Sequence, residues 1–228
     1  MQKTHLVVGG SRGIGLAVAH HLEKRGERVI SVSRTPSAVG TWIEADISKV
    51  AGIRAVHAAI AEQRLDGLLY MGGTWETNAF TRAYRFEECP DTELERVLNV
   101  NLLAPIRLTQ ALLPALRRSD NPKILFMGSL SGRDNYRMRE VANTASKFGL
   151  RGVVDALRRE LFSDRIGVSI INPGSIATPE VLEDLRSVGE SAVRPIPMED
   201  LLSLVDCILN LSRDCVLKEA DLLAMSEL

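Results

Sequence analysis

The sequence predicts an α/β fold in which helices cover both faces of one parallel sheet, a doubly wound arrangement of three layers. Short apolar runs alternate with longer amphipathic stretches along the whole chain. The apolar runs lack polar alternation, as expected of strands buried on both faces. A chain of 228 residues has room for one such sheet and its helices. We find no repeat, low-complexity tract or linker, so we expect residues 1–228 to form a single domain.

The elements follow from the apolar runs and from helical spacing. Predicted strands cover residues 6–8, 28–32, 42–45, 67–71, 124–127, 168–171 and 222–225. Predicted helices cover residues 13–25, 50–63, 92–116, 143–161 and 201–211. Residues 72–90 and 176–197 are expected to be irregular. Because loops after strands lie at the ligand-binding edge of such a sheet, the second stretch is either a substrate lid or a plain surface loop.

Composition excludes several classes of function. A net charge of -1 gives no basic surface for nucleic acid or an anionic membrane, so we expect neither partner. No apolar run approaches the length of a membrane span, and the chain enters its first strand without a signal sequence. Cys89, Cys207 and Cys215 lack CxxC spacing. We therefore expect reduced cysteines, no metal site and a cytoplasmic protein.

A glycine-rich loop joins the first strand to the first helix. Glycine permits a tight turn there and lets backbone N–H groups approach a pyrophosphate, which the amino end of the helix also attracts. The loop therefore predicts a dinucleotide cofactor. Its expected contacts are Gly9, Ser11, Arg12, Gly13, Ile14 and Gly15.

The end of the second strand indicates which dinucleotide is bound. An NAD protein would carry Asp or Glu there to accept hydrogen bonds from the ribose, but this chain has Ser33 and Arg34. Arg34, with Arg12 opposite, is placed to pair with a 2′-phosphate, and Ser33 to donate to it. The cofactor is therefore predicted to be NADP(H). The alternative is that both arginines are solvated surface charges.

Gly9, Gly13 and Gly15 match the T-G-x-x-x-G-x-G fingerprint of the short-chain dehydrogenase/reductase family, with Val8 in place of the threonine. The chain resembles this family from its first strand to about Thr178, which implies a Rossmann fold. The resemblance also implies further cofactor contacts, since one segment of the family touches the adenine, one lets the cofactor approach closely and one holds the nicotinamide carboxamide. These contacts are Asp46 and Ile47, Gly72 and Gly73, and Pro173, Gly174, Ile176 and Thr178.

The same resemblance implies an active site of Asn, Ser, Tyr and Lys. Asn101, Ser129 and Lys147 match three of these, with Lys147 also binding the nicotinamide ribose, but Asn143 stands where the tyrosine is expected. A carboxamide does not titrate, so Asn143 can orient a substrate oxygen but cannot give it a proton. The alternatives are a solvent-facing Asn101, a turn-capping Ser129 and an exposed Lys147.

A second tyrosine lies between Ser129 and Lys147. Tyr136 belongs to the predicted loop 133–139, which borders the substrate pocket in the resembling family, so it is an alternative source of a hydroxyl. An exposed loop aromatic is the other interpretation. Arg133, Arg137 and Arg139 in the same loop either bind an acidic substrate or are solvated.

These features predict an NADP(H)-dependent oxidoreductase that acts on a carbonyl, alcohol or activated double bond of a small molecule. Two alternatives remain: a catalytically weak NADP(H)-binding sensor or partner subunit, and a dehydratase or isomerase that reuses the pocket. The resemblance also implies a homodimer or homotetramer assembled through the predicted helices 92–116 and 143–161. Small residues on the second helix would allow close approach: Gly149, Gly152, Val153 and Ala156.

Overall fold

The strands form one parallel sheet of seven, in the order β3-β2-β1-β4-β5-β6-β7. A computed structural model describes residues 2–133, 138–187 and 194–227 of the chain. The strands are β1 Thr4–Val8, β2 Arg28–Ser33, β3 Thr41–Glu44, β4 Gly67–Tyr70, β5 Lys123–Met127, β6 Gly167–Pro173 and β7 Glu219–Leu222. The strand order reverses direction between β1 and β4, which confirms the predicted doubly wound topology.

The helices connect successive strands by crossovers. They are α1 Gly13–Lys24, α2 Val50–Ile60, α3 Asp91–Leu98, α4 Ala104–Leu116, α5 Val141–Glu160, α6 Pro179–Ser187 and α7 Met198–Asn210. A π-helical segment, Asn99–Leu103, joins α3 to α4, so the predicted helix 92–116 is continuous but locally widened. Among the described helices, none combines the length and the apolar character needed to cross a bilayer.

The core has two layers because alternate strand residues point to opposite faces of the sheet. On one face Leu6 and Val8 pack with apolar residues of α2, α4 and α5, such as Leu108. On the other face Val7 packs with residues of α1 and α7, such as Leu22. Helices therefore bury both faces of the sheet, which confirms the three-layer prediction.

The last strand was predicted in the wrong place. The apolar pattern predicts a strand at 222–225, but β7 pairs Glu219 with Ile170 and Leu222 with Pro173. The apolar residues after Leu222 suggested a strand, whereas acidic residues are usually depleted from strands. Here the Glu219 and Asp221 carboxylates accept hydrogen bonds from the Asn172 side chain at 2.7 and 2.9 Å, which makes an acidic strand acceptable.

The stretch 176–197 was expected to be irregular, yet it contains helix α6. Pro179 occupies the first turn, where a missing N–H costs nothing, and the Thr178 hydroxyl accepts the Val181 N–H at 3.3 Å as a cap. A β-bridge between Ile176 and Ile196 holds the two ends of the stretch together. Residues 188–193 lie outside the described part, so the lid remains a prediction.

Candidate active site

Four loops leave the sheet at its carboxyl edge, two of them flanking the point where the strand order reverses. They follow β1, β4, β5 and β6, all at the carboxyl edge of the sheet, which is where ligands bind in doubly wound folds. The glycine loop and Gly72 touch directly, because a Cβ built on Gly9 would lie 2.9 Å from the Gly72 backbone. Parallel pairing thus gathers four predicted groups of site residues at one edge.

The glycine loop has the conformation that its sequence indicates. Gly9 and Gly13 have φ values of 85° and 52°, in the left-handed region that favours glycine. A Cβ on Gly15 would lie 2.1 Å from the Gly9 carbonyl oxygen, so the helix can approach the loop only without a side chain there. The backbone is therefore free to approach a ligand at this point.

The amino end of α1 suits an anion. Within the described residues, no side chain caps this end, and its first turn carries no acidic residue. Its N–H groups and its dipole thus remain available to a phosphate. A Cβ on Gly13 would lie 4.0 Å from Thr178 and 3.9 Å from a carboxylate oxygen of Glu180, so the segment after β6 borders the same space. The residues fit a dinucleotide pyrophosphate, although the Glu180 charge would oppose it.

Two arginines flank the region beyond β2. Arg12, the N-cap residue of α1, and Arg34 are both exposed. Hydrogen bonds from the Ser48 hydroxyl and N–H, together with the charges of Lys49 and Arg34, lower the pKa of Asp46. Asp46 is therefore a hydrogen-bond acceptor held in its charged form, and the positive charge of Arg34 contributes to this.

Ser33 and Ser11 already have partners. The Ser33 hydroxyl donates to the Thr35 carbonyl oxygen at 2.7 Å and accepts from the Trp42 indole at 3.1 Å. Ser11 Oγ accepts from the Thr35 hydroxyl at 3.1 Å. The predicted hydrogen bond from Ser33 to a phosphate would thus require its hydroxyl to leave Thr35.

Beside the glycine loop, Ile47 and Gly72 lie together, since a Cβ on Gly72 would be 3.6 Å from Ile47 Cδ1. Pro173 ends β6, and the N–H of the next residue, Gly174, donates to the Leu222 carbonyl oxygen at 2.8 Å. This bond fixes the start of the segment that leads to Thr178. The predicted cofactor residues therefore line one continuous edge.

Asn101 is the centre of a buried polar cluster. It is 1% exposed, so the solvent-facing alternative is wrong. Its Nδ2 donates to the Thr74 carbonyl oxygen at 2.7 Å and to Ser146 Oγ at 3.0 Å, and its Oδ1 accepts the Thr74 N–H at 2.9 Å. Asn143 Oδ1 lies 3.5 Å from the same Nδ2. Asn101 thus braces the loop after β4 against α5.

The π-helical segment also forms a hydrogen bond with β4 itself. The Tyr70 hydroxyl donates to the Val100 carbonyl oxygen, and the ring is 1% exposed. Burial raises the pKa of Tyr70 far above its ordinary value. This phenol therefore has a structural role and cannot exchange a proton near neutral pH.

Side chains from residues 74–84 cap the amino end of α5, where Asn143 lies. Glu76 Oε1 accepts the N–H groups of Ala142 at 2.7 Å and Asn143 at 3.2 Å. The Tyr84 hydroxyl accepts the Val141 N–H at 3.2 Å. Sequence reasoning missed both Glu76 and Tyr84 because they cap the helix from a distant part of the chain. A capping motif is recognisable only when it is local.

Lys147 lies one helical turn beyond Asn143 and is half-buried. Its Nζ donates to the Met127 carbonyl oxygen at 3.1 Å, and desolvation lowers its pKa to about 8. A Cβ on Gly73 would lie 3.8 Å from this Nζ and 3.9 Å from Asn101 Oδ1. Gly73 therefore keeps the approach to both polar groups unobstructed.

Ser129 ends up at the same edge but has a structural partner. Its Oγ accepts the Ser131 N–H at 3.1 Å and donates to Ser131 Oγ at 3.1 Å, capping the short 3-10 helix Leu130–Gly132. Gly132 packs on the Lys147 backbone, since a Cβ there would lie 2.8 Å from it. The capping alternative is thus observed, and a contact with substrate remains a prediction.

Comparison with known proteins identifies the family. Residues 3–187 match the family described as short chain dehydrogenase. The chain belongs to the short-chain dehydrogenase family. The family prediction made from the glycine loop is confirmed, and the match ends, like the predicted resemblance, near α6.

Two curated members of the short-chain dehydrogenase family are similar over most of the chain. The ketoacyl reductase HetN of Nostoc sp. is 30% identical over 200 residues, which cover 81% of this chain and 67% of that protein. The rhamnolipids biosynthesis 3-oxoacyl-[acyl-carrier-protein] reductase of Pseudomonas aeruginosa is 32% identical over 215 residues, 85% of this chain and 81% of that protein.

Solved structures of short-chain dehydrogenases are similar in fold. The Pseudomonas aeruginosa RhlG/NADP active-site complex has a TM-score of 0.85 and 25% identity, covering 99% of this chain and 96% of that one. A short chain dehydrogenase from Shigella flexneri, complexed with NADP, has a TM-score of 0.81 and 25% identity, covering 96% of both chains. Both matches confirm the predicted Rossmann fold.

The loop before α5 is described only at its ends. Arg133 forms ion pairs with Glu219 at 3.2 Å and Asp221 at 2.9 Å, and Arg139 donates to the Tyr84 carbonyl oxygen at 3.3 Å. Both arginines thus have partners in the protein. Tyr136 and Arg137 lie outside the described residues, so their predicted roles stay untested.

Proposed function

We propose that this short-chain dehydrogenase is an NADP(H)-dependent oxidoreductase that interconverts a carbonyl and an alcohol, or reduces an activated double bond, in a small molecule. One observation carries the proposal: the uncapped amino end of α1 and the Lys147 ammonium both lie at the carboxyl edge of the sheet. The bound dinucleotide would supply or accept the hydride. The curated relatives, named as ketoacyl reductases, support a carbonyl substrate and suggest 3-oxoacyl thioesters for the first assays.

The choice of NADP(H) rests on Arg34 and Arg12, whose exposed guanidinium groups suit a 2′-phosphate. The two NADP-bound neighbours support it. We expect Arg34→Asp to weaken NADPH binding by tenfold or more, roughly 1.4 kcal/mol, and to leave NADH binding nearly unchanged. Calorimetric titration of both cofactors measures this. An equal loss for both would contradict the role given to Arg34.

The chain's own groups would divide the remaining work. Lys147 would hold the nicotinamide ribose, because its Nζ keeps N–H groups beyond the one given to Met127. Asn143, which we infer to occupy the family's tyrosine position, would orient the substrate oxygen through its amide. Ser129 would assist if its hydroxyl turned from Ser131 towards the substrate.

A nucleotide sensor or partner subunit is the second candidate, favoured by the amide at position 143. A placed general acid typically contributes about 10²–10⁴ in rate, and an amide supplies none of it. A panel of 3-oxoacyl thioesters, ketones, aldehydes and enones, followed by NADPH absorbance, separates the candidates. Turnover of any member supports the enzyme, whereas tight NADPH binding without turnover across the panel supports the sensor.

A further inference from the structure

Reduction of a carbonyl needs a proton as well as a hydride, and the described site offers few sources for it. The cluster around Asn101 consists of amides and hydroxyls, which do not release protons in the neutral range. Tyr70 and Tyr84 are both buried, with their hydroxyls on backbone groups. Burial is also the largest cause that raises the pKa of Tyr84. Neither phenol is a suitable donor.

Lys147 is the titratable group on the open side of this cluster. One of its ammonium N–H groups donates to the Met127 carbonyl oxygen. Among the described residues, Lys147 has no ion-pair partner. A Cβ built on Gly73 would lie 3.8 Å from Lys147 Nζ and 3.9 Å from Asn101 Oδ1, so Gly73 itself places no side chain against the ammonium. Asn143 is shorter than a tyrosine and lies one helical turn before Lys147 on the same face of α5.

We propose that Lys147 itself gives the proton to the substrate oxygen, in addition to holding the cofactor; the inference rests on the proposed oxidoreductase function. In the reducing direction the hydride forms the new C–H bond and the C=O π electrons move to oxygen. The oxygen then takes a proton from the Lys147 ammonium, so an N–H bond breaks and an O–H bond forms. The neutral amine regains its proton from solvent. Oxidation of the alcohol is the reverse.

The charges around Lys147 allow this role. Glu76 is held by the Ala142 and Asn143 N–H groups, and the Arg151 guanidinium is paired with Glu219 at 2.6 Å. The titratable or charged side chains near the cluster all have partners in the protein: Tyr70 with Val100, Glu76 with Ala142 and Asn143, Tyr84 with Val141, Arg96 with Thr74, and Arg151 with Glu219. No carboxylate locks the ammonium in an ion pair within this described set, so its proton can be released.

The pH dependence follows from burial. Because desolvation lowers the pKa of Lys147 to about 8, the ammonium is a useful acid near neutral pH and its amine a useful base just above it. We expect kcat for reduction to fall as pH rises through about 8 and kcat for oxidation to rise over the same range. A role limited to cofactor binding would alter KM for NADPH instead.

The test uses Lys147→Arg, with Lys123→Arg as a matched control. Arginine keeps the positive charge but stays protonated. Lys123, like Lys147, donates to a backbone carbonyl, here at 3.0 Å, and has a pKa lowered by desolvation, but it is buried and begins β5 at the opposite edge of the sheet. We expect K147R to reduce kcat by about 10²–10⁴ and to remove the fall of kcat at basic pH. Its NADPH affinity, measured by fluorescence titration, should stay within about tenfold of wild type. K123R should retain wild-type kcat.

Asn143→Tyr completes the experiment as a double-mutant cycle. A phenol at 143 would take over proton donation, with either cation lowering its pKa. K147R should therefore cost less than about tenfold in the N143Y background. An equal loss in both backgrounds, or near wild-type kcat in K147R, overturns the proposal. If K147R fails to fold or to bind NADPH, the pH dependence of wild-type kcat decides the question. A kcat that stays constant between about pH 6 and pH 10 overturns the proposal.

Failure of the two proposals can be told apart. A wild-type protein that binds NADPH but reduces no member of the carbonyl panel refutes the oxidoreductase function, and the proton role of Lys147 falls with it. An active wild type with an equally active K147R leaves the oxidoreductase function standing and removes only the role in proton donation.

Discussion

Replacing Glu76 by alanine tests how residues 74–84 hold the amino end of helix α5. The change leaves the buried N–H groups of Ala142 and Asn143 without their acceptor at 2.7 and 3.2 Å. Losing a helix cap costs about 0.5–2 kcal/mol, and a buried donor left unsatisfied costs about 1–3 kcal/mol. Relief of a buried charge whose Oε2 has no hydrogen-bond partner in the described structure offsets part of this. We expect a net loss of about 2–4 kcal/mol in the free energy of unfolding.

In a chain of 228 residues, this loss corresponds to a fall in Tm of about 4–16 °C, at roughly 2–4 °C per kcal/mol. Thermal and urea unfolding measure it, together with hydrogen exchange of the Ala142 and Asn143 amides. Glu76→Gln keeps one oxygen acceptor and should lose less than half as much. Glu62→Ala is the control, because Glu62 is exposed and pairs with Arg118 at the surface. A Tm within 2 °C of wild type, roughly 1 kcal/mol or less, would refute this view of the cap.

Three further predictions concern separate features. Glu180→Gln should tighten NADPH binding at low salt, because the carboxylate borders the phosphate space beside Gly13; unchanged affinity would remove Glu180 from that space. Phe148 is 41% exposed on α5, and Phe148→Glu should shift the homodimer or homotetramer that we propose towards monomer in light scattering. The hydrogen bond and charge of Arg151 lower the pKa of the Glu219 carboxyl below its ordinary value of 4.5. The ion pair therefore stabilises the fold above that pH, and this stabilisation is lost as pH falls through the folded-state pKa. On acid titration, Glu219→Gln should show a shallower loss of stability than wild type.

The glycine loop and most strands could be predicted because their signals are local. Gly9 and Gly13 need left-handed backbone, and their spacing next to an apolar run is visible in the sequence. Asn101 also carries a local signal, because asparagine is an unfavourable residue within a helix. What the sequence did not reveal is why a helical asparagine is tolerated: its amide satisfies both backbone groups of Thr74.

Long-range partners account for most of what was missed. Glu76 and Tyr84 carry no local capping signal, since the N–H groups they accept belong to a helix about sixty residues later in the chain. Strand β7 was misplaced because its acidic residues are acceptable only beside Arg151 and Asn172. In both cases, the meaning of a residue depends on a neighbour that only the folded chain supplies.

The two outer strands of the sheet are among its shortest strands. Both β3, Thr41–Glu44, and β7, Glu219–Leu222, have four residues, and each carries at least one carboxylate. An outer strand presents unpaired backbone groups to which another chain can add, and short length with charge opposes such addition. The longer strands β2 and β6 lie one position inside and pair with a neighbour on each side. The sheet thus ends on strands that are poor templates for growth, which protects the folded protein against edge-to-edge aggregation.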